Sequence, residues 1–100
     1  MDFRPPWISI SEYPAGHGDA LVREAIVEIP SNHPLSGRAL TPLARREDCD
    51  DVLFQLDDGP AVAVVHLTWS GRPERPGFPT TRQYSDFAHF RASADAFGND

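Results

Sequence analysis

The stretch Asp51-Val52-Leu53-Phe54-Gln55-Leu56-Asp57-Asp58-Gly59-Pro60-Ala61-Val62-Ala63-Val64-Val65-His66-Leu67 decides how this chain folds. Two runs rich in β-branched and aromatic residues flank an Asp-Gly pair. That pair signals a hairpin, because glycine accepts the positive φ of a tight turn. A two-residue loop at Asp58-Gly59 and a four-residue loop over 57–60 give one and the same register. Either loop sets Asp51 opposite His66 and Leu53 opposite Val64. Val52, Phe54, Leu56, Ala61, Ala63, Val65 and Leu67 then share one face, read as the core face. Leu53, Gln55, Val62, Val64 and His66 share the other. A slip of one residue would scramble both sets, so the alternation supports the register.

Working outward, residues 39–46 form a third strand, which Pro42 demotes to an edge because proline has no N–H for the ladder. Residues 51–57 and 61–69 are the other two. Residues 30–38 and 70–83 are rich in Pro, Gly and Ser and read as loops. Residues 19–29 read as a helix with Asp19 as N-cap and Pro30 as terminator. Arg23, Glu24 and Glu28 form its polar arc, and Leu21, Val22, Ala25, Ile26 and Ile29 cover the rest. The β-branched residues of that segment also fit a strand. A second helix is expected over 85–97, capped by Ser85, striped by Phe87, Phe90, Ala94 and Phe97, and stopped by Gly98. Residues 1–18 read as an irregular arm, with room for a short edge strand at 7–10.

These elements predict one α+β domain over residues 1–100, of order α-β-β-β-α. The expected architecture is a three-stranded antiparallel meander with both helices on one face. The second face would then stand open, and Leu53, Gln55, Val62, Val64 and Trp69 become the candidate binding residues. An apolar patch of that kind is either an interface or lies under the N-terminal arm with Trp7.

Composition narrows the function. Fifteen acidic residues against nine basic ones give a net charge of −6, which earns no counterion-release affinity for nucleic acid. All nine basic residues are arginine, so a P-loop lysine, a Schiff-base lysine and a Ser–Lys dyad are excluded. A single cysteine, Cys49, excludes an internal disulfide. The first residues lack the apolar stretch of a secretory signal, and no run is long enough to span a bilayer, so a cytoplasmic protein without membrane or nucleic-acid partners is expected. His17, His33, His66 and His89 lack zinc spacing and read as loop or surface residues. The acidic run 47–51 lacks the spacing of a calcium loop. No metal or cofactor is expected.

One constellation bears chemistry. The hairpin register brings Cys49, Asp51 and His66 together on the second face. In an enzyme, Cys49 would attack, His66 would act as base and Asp51 would orient the imidazole, as in a thiol-dependent hydrolase or transferase. Four carboxylates beside Cys49 oppose a thiolate. The plainer reading makes Cys49 a turn residue and the Asp51–His66 pair a structural contact. The leading expectation is therefore a non-catalytic module that binds a protein partner or a second copy of itself.

The strings His33-Pro34-Leu35-x-Gly37, Asp50-Asp51-Val52-Leu53-Phe54 and His66-Leu67-Thr68-Trp69-Ser70-Gly71 resemble a group of short bacterial proteins of unknown function, over roughly residues 30–92. The resemblance implies a stand-alone domain and carries no site residue across.

Overall fold

In the computed structural model, which describes residues 3–97, the hairpin forms in the expected register. Asp51 lies opposite His66, Leu53 opposite Val64 and Gln55 opposite Val62. The Leu56 amide donates to the Ala61 carbonyl at 2.9 Å, so the loop is the four-residue one. Asp57 takes the left-handed conformation there, at φ 55°. Aspartate is among the non-glycine residues that adopt it most readily, and its carboxylate holds the turn to the chain entering β2. Here it accepts from the Ala39 amide at 2.9 Å and from Arg38.

The strands number five among the described residues. They are β1 (Trp7–Ser9), β2 (Leu40–Arg46), β3 (Asp51–Leu56), β4 (Val62–His66) and β5 (Thr81–Tyr84). They form one antiparallel meander in the order β1-β2-β3-β4-β5. The fold is thus α+β with an antiparallel sheet, but the expected three strands gain one at each edge. Strand β5 comes from a segment read as loop. Its polar residues Thr81, Arg82 and Gln83 suit a short, charged edge. Pro42 sits inside β2, which is internal, yet β1 pairs only with Ala44, Arg45 and Arg46. The register also shifts between Pro42 and Ala44. Around Pro42 the strand is locally an edge, which is why the missing N–H is tolerated.

Two helices, α1 (His17–Glu28) and α2 (Phe87–Arg91), pack on opposite faces, which corrects the single-face arrangement. Leu21 and Ala25 of α1 join Leu35, Val52, Phe54, Leu56, Ala63, Val65 and Leu67. Phe90 of α2 joins Trp7, Ala44, Leu53, Val62, Val64 and Ala96. The reason is that both hairpin faces are apolar. Leaving Leu53, Val62 and Val64 in water would forfeit about 1.5–3 kcal/mol each, so a second layer covers them. Trp7 takes part in that cover, edge-on to Phe90 at 5.5 Å, with its indole N–H on the Asp95 carbonyl at 2.7 Å.

Helix ends also differ in detail. Helix α1 starts after Gly16, at φ 92°, rather than at Asp19. It can approach β2 because Gly18 has no side chain: a Cβ there would lie 3.1 Å from Pro42 Cγ. Helix α2 is capped by Asp86, whose carboxylate accepts from the His89 amide, and not by Ser85. The expected helix over 85–97 breaks after Arg91 and resumes as a 3₁₀ helix, Ala94–Phe97. Gly98, expected to stop it, lies outside the described residues.

Candidate functional site

The ends of β2, β3, β4 and β5 border an open cleft of about 550 Å³, lined by Arg46, Cys49, Asp51, His66, Thr80, Arg82 and Asp95. The three residues singled out for chemistry therefore do meet. Asp51 is the hub. It opens β3 on the second face, with its side chain only 8% exposed. Its Oδ1 lies 2.7 Å from His66 Nδ1, and its Oδ2 accepts from the Arg82 guanidinium at 3.1 Å. Arg46 Nη1 approaches its Oδ2 to 4.0 Å. Arg82 also donates through Nε to Asp95 Oδ2 at 2.7 Å, and the Tyr84 hydroxyl reaches the same oxygen. Burial and this carboxylate hold the Tyr84 phenol above its usual range. Arg46, buried, forms a two-pronged pair with Asp48 at 2.8 and 2.6 Å. That pairing raises the guanidinium pKa and lowers that of Asp48.

Cys49 sits half-buried in the turn between β2 and β3. Burial above all pushes its thiol pKa up; the Asp51 amide pulls it back in part, and the raising charges of Asp51 and Asp48 and the lowering charge of Arg46 are smaller. A protonated thiol is a poor nucleophile. The cleft thus brings the partners of a thiol mechanism together while holding the nucleophile in its unreactive form.

A second feature lies across the sheet, where the chain leaves β4. Trp69 adopts φ 59°, a left-handed conformation that costs a bulky residue roughly 1–2 kcal/mol. Its indole remains 45% exposed. The strain is held by Glu28 on α1. That carboxylate is fully buried and accepts the Thr68 amide at 2.9 Å and the Trp69 amide at 2.8 Å. Burial and a side-chain hydrogen bond with Glu24 raise the Glu28 pKa, while the two amides pull it back. Glu24 itself accepts the Gly71 amide at 2.9 Å. Glu74 takes the Ser70 and Thr68 hydroxyls at 2.7 and 2.8 Å, which lowers its pKa. Two carboxylates of α1, Glu28 and Glu24, thereby fasten residues 68–71 to the helix, and Glu74 ties the loop to itself.

Of the expected binding residues, Leu53, Val62 and Val64 are buried under α2 and Trp7, so no ligand reaches them. Gln55 is half-buried and spends its amide on the Gly59 carbonyl at 3.0 Å. Only Trp69 stays available. His33, read as a loop or surface residue, is buried: its Nδ1 accepts the Leu35 amide at 3.0 Å and its Nε2 bonds the Pro79 carbonyl at 2.9 Å. It is a clasp between two loops. Arg82 and Asp95 escaped the sequence reading because the segments that carry them were read as loop and as a continuous helix. Glu28 belongs by residue type with the polar arc, yet its spacing from Leu21 and Ala25 puts it on their buried face.

Among the described residues, no group of three or more His, Cys, Asp or Glu is placed to hold a metal ion, and no helix is long and apolar enough to cross a membrane. Comparison with protein families, curated proteins and solved structures returns no match.

Proposed function

We propose that this chain is a non-catalytic protein-binding module that docks through Trp69 and the outer face of α1. The observation that carries this reading is the posture of Trp69: a large aromatic side chain, nearly half exposed, on a backbone that strains to present it. A side chain serving only as a core lid has no need of that conformation. Strain of this kind persists where the surroundings over-determine it, and it concentrates at ligand and switch sites. Ile26 and Val27, at 60% and 40% exposure, stand on the helix to which the Trp69 loop is tied. Together with Trp69 they are the large exposed hydrophobic residues of the described chain. Tryptophan is the residue type most enriched at binding hot spots. A net charge of −6 favours encounter with a basic partner.

The test is a footprint. The partner is isolated from extracts of the source cell, purified, and mixed with the chain for hydrogen exchange. New protection over 23–27 and 68–72 is expected. Protection confined to other segments, or a chain that stays monomeric and finds no stoichiometric partner, contradicts the reading.

A further inference from the structure

We infer that the cleft at the ends of β3, β4 and β5 binds a small ligand through a carboxylate or phosphate group, seated between Arg82 and His66. The site lies on the opposite face of the sheet from Trp69 and stands independently of the docking surface.

The acceptors of the cleft are withdrawn from solvent and already engaged. Asp51 is 8% exposed and serves His66 with one oxygen and Arg82 with the other. Asp95 is 15% exposed, and its Oδ2 serves both Arg82 and Tyr84. The Thr80 carbonyl is taken by the His66 amide at 3.0 Å. The outward-facing donor is Arg82, whose side chain is 43% exposed; His66, 47% exposed, has its Nδ1 on Asp51, so its outward Nε2 donates to a ligand only when the ring is protonated. Arginine carries five N–H donors and no acceptor. One N–H of Arg82 goes to Asp95 and one to Asp51 among the described residues, which leaves the outer edge of the guanidinium to a ligand. Thr80 lines the same cleft.

A wall of this kind selects a group with at least two acceptor oxygens held in one plane or one tetrahedron. Carboxylate and phosphate match a guanidinium fork in that way. Asp51 acts as the positioning residue, since it braces the imidazole and the guanidinium side by side without facing the ligand itself. The fixed charges give no net attraction for an anion: two guanidiniums, Arg46 and Arg82, stand against three carboxylates, Asp48, Asp51 and Asp95. Affinity therefore comes from short-range hydrogen bonds and not from long-range attraction. An anion alone binds weakly, and an anion on a body that fills the cleft binds better. A volume of about 550 Å³ is that of a small-molecule site.

The experiment is an NMR titration of the full chain with acetate, with inorganic phosphate, and with sodium chloride at matched ionic strength as the control. Saturable shifts of the His66 ring and the Thr80 and Arg82 amides are expected with at least one oxyanion and not with chloride. Response to phosphate alone or acetate alone names the group; response to both defines a general oxyanion seat. Arg82→Gln should weaken binding at least tenfold. Thr80→Val, at an exposed position, gives a second reading if the first variant unfolds, and should weaken binding a few-fold. Trp69→Gly should leave this titration unchanged, which separates a failure here from a failure of the docking surface. Linear shifts identical to those in chloride, or undiminished saturation in the folded variants, would overturn the inference.

Discussion

The Asp51 hub makes a quantitative demand on stability. Its carboxylate is 8% exposed and has three cationic or polar neighbours: His66 at 2.7 Å, Arg82 at 3.1 Å and Arg46 at 4.0 Å. Removing His66 alone leaves Arg82 in place, and the lost partner was half exposed. His66→Ala should then cost about 1 kcal/mol, the upper end for an exposed pair. Arg82→Ala breaks the Asp95 contact as well and should cost about 1–2 kcal/mol. The double variant is different in kind. It leaves a buried carboxylate facing only a distant guanidinium that is already paired to Asp48. That state should cost about 3–5 kcal/mol, the penalty of a buried charge stripped of its partners. The two losses should therefore exceed additivity by about 1 kcal/mol or more. Urea denaturation followed by circular dichroism measures all four corners of the cycle. For a domain of this size each kcal/mol corresponds to roughly 4–8 °C in Tm. Strict additivity would refute the reasoning, since it would mean that water replaces the lost partners and Asp51 is not functionally buried. A loss of 3 kcal/mol from His66→Ala alone would refute it from the other side.

Two titrations follow from the same surroundings. Alkylation of Cys49 should be slow at neutral pH and accelerate only above the ordinary thiol range of about 8.5, because burial and the nearby carboxylates raise its pKa. A midpoint below that value would restore the thiol mechanism. Glu28 has a folded-state pKa above its ordinary value, chiefly through burial. The stability it contributes is fully present below the ordinary carboxylate range and is lost as pH rises through the folded value. Thermal unfolding followed as pH rises from the ordinary carboxylate range should show that loss in the native chain and not in Glu28→Gln.

The hairpin was legible because two independent signals coincide in residues 51–67. Asp-Gly fixes the turn and with it which residues share a face, and the recurrence of Val52, Phe54 and Leu56 agrees with that register. The layers were not legible in the same way. Leu53, Val62 and Val64 announced a second apolar face, but the stripe of Leu21 and Ala25 and the stripe of Phe87 and Phe90 fit either side of a sheet equally well. Nothing local says which helix crosses over. Strand β5 was hidden because an edge strand takes its structure from backbone pairing to β4, and Thr81, Arg82 and Gln83 carry no core signature. The Asp51–His66 pair could be derived, since register alone places it. Its third partner, Arg82, could not, because it depends on that unseen strand. Trp69 stood out by type, whereas its strained posture depends on Glu28, forty-one residues away.

Replacing Trp69 by glycine tests the docking surface most directly. Glycine is at ease at φ 59°, so the substitution removes the aromatic anchor while relieving the backbone. If the strain exists to present Trp69, Trp69→Gly should keep or raise the Tm and weaken partner binding by about 30-fold or more in calorimetry, the loss of a hot spot of at least 2 kcal/mol. A variant that binds as tightly as the native chain, or that unfolds because the indole was holding the core, would contradict the account.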